Sequence, residues 1–450
     1  MKGETMITRF PTLALLLVLA ASSTAAGQGS GPKLTQEVEA RTAQVLPKVV
    51  AWRRDIHEHP ELSNREVRTA KLVADHLTRL GLEVKTGVGH TGVVGLLRGG
   101  KPGPVVALRA DMDALPVVEQ VDLPFKSTVK TEYNGQQVGV MHACGHDNHV
   151  AILMGVAEVL AGMKAEIPGS VKFIFQPAEE GAPVGEEGGA GLMIREGVLG
   201  DPAPGAIFGL HVWPDTVGTI AYKPGPFMAA ADPLSIVITG RQTHGALPWG
   251  GVDPIVVAAQ VVLGLQTIAS RQIDVTRVPA IITVGSIHGG NRGNIIPDSV
   301  VLVGTVRTFD EAMRTDIKER IRRTASSIAQ SAGATAAVSF GVEGGSFAVT
   351  VNDPALTEKM LPTLQRAAGT GHVHLSGLQT PSEDFALYQQ KVPGLFVYLG
   401  IVQAGKDPAT APRNHSPLFF ADEAALPVGV RTLAGLALDW LSMNAGKPAR

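Results

Sequence analysis

A chain of 450 residues is too long for one ordinary hydrophobic core, so two domains are expected. Hydrophobic residues make up 44% and charged residues 18%, a globular composition that excludes a disordered chain. A formal net charge of -2 and 5% aromatics exclude the basic, base-stacking surface of a nucleic-acid binder and offer nothing to hold an anionic membrane.

Taken in chain order, the first residues read as an export signal. Lys2 and Arg9 give a positive start, "PTLALLLVLAA" is an apolar core too short to span a bilayer, and "SSTAAG" offers small residues for cleavage near Ala25 or Ala26. Residues 1–26 are thus expected to be the signal peptide of an exported protein, periplasmic or secreted, with an uncleaved anchor as the alternative. No later stretch reads as long and apolar enough to cross a membrane, so no membrane partner is expected once the signal is removed. Cys144 is the single cysteine and has no internal disulfide to form. It is either a small buried apolar residue or a thiolate with a chemical role.

Helical patterns follow over residues 34–57 and 64–80, the second closed by Gly81. "PVVALRADMDAL" is a strand that breaks into the acids Asp111 and Asp113, and residues 149–163 form an apolar helix. "GSVKFIFQPAEEG" is a strand ending in Glu179 and Glu180, and "GAIFGLHVWP" is a strand ending at His211. Strands alternating with helices predict an α/β domain with a mostly parallel sheet, which binds ligands at the carboxyl ends of its strands. The pattern changes after Met228. A strand "DPLSIVITG", an apolar helix over 254–270, the strands "VPAIITVGSI" and "SVVLVGTVRTF", a helix over 310–332 and the strand "TAAVSFGV" give the order βαββαβ, a ferredoxin-like unit. The expected organisation is a catalytic domain in two parts, 34–228 and 343–445, interrupted by an inserted domain at 229–342.

The chemistry gathers at the strand ends. In "HACGHDNH", Cys144 and His146 are separated by one residue, close enough for both to turn toward one point, and thiolate and imidazole are good ligands for divalent ions. Two glutamates after a buried strand raise each other's pKa unless a cation neutralises one of them. The other is then a free carboxylate, and metal-assisted hydrolysis needs such a base beside a Lewis acid that acidifies water.

With these motifs stand "WRRDIHEHPELSNRE", "LRADMDALP", "HGALPWGGVDP", "GNIIPDSVVLVGTVRTFD", "SEDFA" and "NHSPLF". Together they resemble the metal-dependent aminoacylase and carboxypeptidase superfamily, and within it the amidohydrolase branch of hippurate hydrolases and indoleacetyl-amino-acid hydrolases. The resemblance covers residues 38–441. It implies two divalent metal ions per subunit, zinc or manganese with cobalt and nickel as alternatives, ligated by Cys144, His146, Glu180, His211 and His415. Cys144 would lie between the ions, where many relatives carry aspartate. Glu179 would be the general base, and Asp113 would orient a histidine ligand. Asp111 occupies a place where other branches carry a ligand histidine, which His146 is read as replacing. His149 is either a polar support or structural.

In the inserted domain, His244 matches a residue that helps hold the scissile carbonyl's oxyanion, in relatives from the partner subunit. Asn294 and Arg307 match substrate-binding positions, and arginine binds a carboxylate with two parallel hydrogen bonds. Read alone, His244 is a surface turn residue and Arg307 a surface ion-pair partner. Ser382, Glu383 and Asp384 read first as a helix-capping pattern, with support of the site by Glu383 and Asp384 as the alternative. The resemblance thus implies hydrolysis of the amide bond of N-acyl-amino acids, with the inserted domain acting as lid and homodimer contact. The rival readings are a dipeptidase or aminopeptidase-like activity, and an exported metal-dependent binding protein for peptides or conjugates that cleaves nothing.

Overall fold

The structure is a computed structural model, and it describes residues 31–341 and 345–446 together with Gly3. The expected signal peptide, Gly3 apart, lies outside the described residues.

Helix α1 (Pro32–Glu58) opens with Pro at its first turn and buries Val38, Val45, Val49 and Ile56, a stripe at helical spacing. Helix α2 (Val67–Arg79) precedes strands β1 (Glu83–Val88), β2 (Gly92–Arg98) and β3 (Lys101–Asp111). Helix α3 (His146–Gly162) then leads to β4 (Pro168–Gln176), α4 (Gly189–Arg195), β5 (Ala206–Thr216) and β6 (Ile220–Tyr222). Residues 230–340 hold β7 (Ala230–Thr239), α5 (Pro254–Thr267), β8 (Ala280–His288), β9 (Ser299–Thr308), α6 (Glu311–Ser331) and β10 (Thr335–Phe340). The chain closes with α7 (Pro354–Ala368), β11 (Val373–Leu375), α8 (Phe385–Gln389), β12 (Gly394–Val402) and α9 (Leu426–Met443).

Two sheets organise these elements. The larger has eight strands in the order β1-β2-β4-β3-β5-β12-β6-β11, and its centre, β4-β3-β5-β12, is parallel throughout. These strands read as near-continuous apolar runs because helices cover both faces. On one face α1, α3 and α9 pack on a core that includes Val106, Leu108, Ile152 and Phe208. On the other, Phe227, Phe385, Phe396 and Tyr398 form a second core with α4 and α8. The smaller sheet runs β8-β9-β7-β10, all antiparallel, and buries Ile236, Val261, Leu302 and Ile317 against α5 and α6.

Three expectations need correction. The apolar helix begins at His146, not His149, because Gly145 takes a left-handed conformation (φ 91°) that starts the turn early. A Cβ at Gly145 would lie 2.4 Å from Val212 Cγ2, so only glycine lets this loop press on β5. Strand β5 does not end at His211 but runs on to Thr216, because β12 continues to pair with it after β3 has ended. Two later helices do reach the length and apolarity that would cross a bilayer, Pro254–Gln272 and Glu423–Met443; the second is 78% buried in the packing described above.

Candidate metal centre

The loop and helix start at 142–149, the β4 turn at Glu179 and Glu180, His211 on β5 and the 413–415 loop converge beyond β3. Cys144 Sγ lies 3.4 Å from His211 Nε2. His211 Nδ1–H donates to the Val212 carbonyl at 2.7 Å, which leaves Nε2 its lone pair. Glu180 Oε1 lies 3.1 Å from His415 Nε2 and 4.0 Å from His146 Nε2. Ligand atoms of Cys144, His146 and His211 all fall within 4.8 Å of one another, as do those of Cys144, Glu180 and His415. The two groups share the thiol.

Asp113 ties the carboxylates to the histidine. Its Oδ1 accepts the Glu179 N–H at 3.1 Å, and its Oδ2 accepts the Glu180 N–H at 3.0 Å and the Ser63 hydroxyl at 2.8 Å. His146 Nδ1 faces Asp113 Oδ1 at 3.3 Å and Asp111 Oδ1 at 3.8 Å, in neither case as an aligned hydrogen bond. His149 Nδ1 meets Asp111 Oδ1 at 2.5 Å, and its Nε2 accepts the Val212 N–H at 2.9 Å, so both ring nitrogens are engaged in support.

The donor set fits divalent cations. Both ring nitrogens of His146 and Oε1 of Glu180 are buried without an aligned hydrogen bond, a costly state for protein atoms; a ligand histidine needs one such free nitrogen, and Nε2, facing Glu180, supplies it. Burial, then the Glu180 and Glu179 carboxylates, push the Cys144 thiol well up, so only a strong cation would hold it as thiolate. Burial opposes a charge on His146, yet Asp111, Asp113 and Glu180 raise it to about 10: the pocket attracts positive charge. Burial and the Glu383 and Glu180 carboxylates raise Glu179 well above the usual range, with Arg109 opposing.

Two features escaped the sequence reading. Arg109 is fully buried and binds Asp111 at 2.6 Å, Asp384 at 2.9 Å and Glu383 at 3.0 Å, one guanidinium facing several buried acids. Glu383 and Asp384 are therefore more than caps; with Glu179 they form a buried carboxylate group whose oxygens lie within 4.8 Å. Asn414 is the second. Its Nδ2 donates to the Cys144 carbonyl at 3.0 Å and the Val212 carbonyl at 3.3 Å, and His415 N donates to the Ala143 carbonyl at 2.8 Å. These bonds fasten the C-terminal loop, with His415 in a left-handed conformation (φ 71°), onto the cysteine segment.

A cavity of about 730 Å³ opens over the cluster, lined by Cys144, Glu179, Glu180, His211 and His415 together with Arg307, Ser382 and Phe347. Arg307 donates a hydrogen bond to the Ser382 hydroxyl, and burial lowers its pKa. His244 and Asn294 are not among the residues lining this cavity. They sit exposed on the ribbon formed by Thr243–His244 and Ile295–Ile296, where the Asn294 carbonyl accepts the Gly245 N–H at 2.8 Å.

Comparison with known proteins agrees with this architecture. Residues 107–439 match the model of Peptidase family M20/M25/M40. The chain is 42% identical over 412 residues to thermostable carboxypeptidase 1 of Saccharolobus solfataricus, covering 90% of this chain and 98% of that one. It is 39% identical over 396 residues to IAA-amino acid hydrolase ILR1-like 4 of Arabidopsis thaliana, covering 87% of this chain and 86% of that one. Among solved structures, the YXEP protein of Bacillus subtilis, a dinuclear metal binding peptidase from the M20 family, superposes with a TM-score of 0.73 at 38% identity, covering 89% of this chain and 99% of that one. The chain belongs to peptidase family M20/M25/M40 and is a metal-dependent amidohydrolase.

Proposed function

We propose that this chain hydrolyses the amide bond of N-acyl-amino acids with a free α-carboxylate, hippurate-like or indoleacetyl-amino-acid-like conjugates, releasing the acid and the amino acid. The observation that carries the reading is the shared cavity: it joins Glu179 and the candidate ligands Cys144, Glu180, His211 and His415 to a half-buried arginine across about 730 Å³. Two divalent ions, zinc or manganese, would be held by Cys144, His146, Glu180, His211 and His415, and when bound would polarise the carbonyl and acidify water. Glu179 takes the proton of the attacking water and passes it to the leaving nitrogen; its carboxyl is buried in the cavity wall beside the candidate ligand Glu180. Asp113 orients His146 and, through their backbone N–H groups, both glutamates. Arg307 pairs with the α-carboxylate, with the Ser382 hydroxyl beside it.

The unit at 230–340 is read as a lid and homodimer contact. Exposed Ile255, Val256 and Leu263 on α5 support the contact. His244 and Asn294, outside the cavity of their own chain, then suit a contribution to the partner's site. Export of the mature chain, after removal of residues 1–26, is part of the same reading.

The test is turnover of benzoyl-, acetyl- and indoleacetyl-amino acids and of dipeptides, with and without chelator, in the wild type and Glu179→Gln. Acyl-amino acids should be turned over, the activity should vanish with chelator, and Glu179→Gln should lose about 10²- to 10⁴-fold in kcat. The Saccharolobus relative, named a carboxypeptidase, favours a second reading in which the acyl group is itself a peptide. Preference for dipeptides would support that rival, and full metal loading without any turnover would support the binding protein.

A further inference from the structure

We propose that the acyl arm of the substrate lies in a second cavity, beyond Glu180 from the one that contains Arg307, and that this pocket selects apolar acyl groups. The inference rests on the N-acyl-amino-acid reading above. An amide has two arms. A substrate anchored by its carboxylate at Arg307 lays its amine arm across the first cavity, and its acyl arm leaves the scissile carbonyl in the opposite direction. A cavity of about 490 Å³ is available there, and Glu180 lines both spaces.

One part of the second cavity suits an apolar guest. Leu62, Ala114 and Val140 form a hydrophobic cluster of their own, apart from the three larger cores, with Val129 packed against it. All four line the cavity, so this cluster has a face turned to empty space. Of the charged groups in the wall, Lys130 and Glu132 are exposed to solvent, and two others are engaged. Glu61 accepts the Arg68 and Thr69 N–H groups at 2.8 Å each, and Arg65 pairs with Glu186 at 2.5 Å. The wall is also continuous with the reacting centre. Ser63 lines it and donates to Asp113, which in turn accepts the backbone N–H groups of Glu179 and Glu180.

The experiment compares kcat/KM for acetyl, butanoyl, hexanoyl and benzoyl conjugates of one amino acid. For the wild type it should rise about fourfold for each methylene buried. Val129→Trp, which narrows the pocket away from the candidate ligands, should cost the hexanoyl and benzoyl conjugates about tenfold, mostly in KM, and leave the acetyl conjugate within about twofold. Pro183→Trp makes the same test from another part of the lining, should the first variant lose its thermal transition. A flat wild-type series, or an equal loss on acetyl and benzoyl conjugates, overturns the pocket. No turnover of any conjugate by the wild type overturns the underlying reading instead.

Discussion

Asp113 and Glu179 are locked together: the aspartate Oδ1 accepts the glutamate's backbone N–H at 3.1 Å while lying 3.3 Å from His146 Nδ1. One carboxylate thus sets the position of both a candidate ligand and the candidate base. Asp113→Ala leaves the Glu179 and Glu180 N–H groups without acceptors and removes the carboxylate that faces His146. It should lower both metal affinity and kcat by about 10- to 100-fold, measured by chelator competition and steady-state kinetics. Asp113→Asn keeps an oxygen acceptor and should lose less.

Metal removal should reach beyond catalysis. The unpaired nitrogens of His146 and the crowded Glu179–Glu180 pair make the metal-free cluster costly. Ions that bind only the folded chain stabilise it by mass action. Chelation should lower the thermal midpoint by a few degrees, at roughly 1 °C per kcal/mol from the per-residue entropy of unfolding for a chain this long, and re-addition of zinc or manganese should restore it. Scanning calorimetry in both states measures this.

Arg307 should govern affinity for the carboxylate more than the chemical step. Arg307→Ala should raise KM for a benzoyl-amino acid by about 100-fold and change kcat much less. The corresponding substrate amide, which has no carboxylate, should respond little to the substitution.

The 230–340 unit carries its own pH-sensitive tie. Asp232 on β7 is buried and receives Arg314 at 2.7 and 2.8 Å and Lys318 at 2.6 Å. Burial would raise its pKa, but the bonds from Arg314 and Lys318 outweigh that and lower it. A carboxyl lowered in the folded state contributes stability above its unfolded pKa, about 4, and loses it as pH falls through the folded value. Asp232→Asn should therefore cost about 1–3 kcal/mol at pH 7, and the difference from wild type should shrink below about pH 4. Urea unfolding at the two pH values reads it.

Much of the site was legible because its residues stand where strands end. Apolar runs break at Asp111 and at Glu179–Glu180, and chain order alone puts those breaks on one side of a parallel sheet. His211 was read at a strand end although it lies within one, since the longer pairing of β5 with β12 leaves no local trace. The capping reading of "SEDFA" needs correction: the N-cap Asp384 makes no side-chain cap bond, and the Phe385 N–H goes instead to Glu383, one residue earlier, at 3.0 Å. It missed the contact of Asp384 with Arg109, 275 residues away, because nothing local announces a long-range ion pair. Asn414 was hidden for the same reason: its partners lie in other elements, and its neighbour His415 drew the attention.

Metal content of the wild type and Cys144→Ala, measured by elemental analysis after equilibration with zinc or manganese, tests the central claim most directly. The account predicts two ions per chain in the wild type, and in the variant loss of at least one ion or a large fall in affinity for both, since the thiolate is the ligand common to the two groups. Two ions bound to Cys144→Ala with unchanged affinity would contradict it.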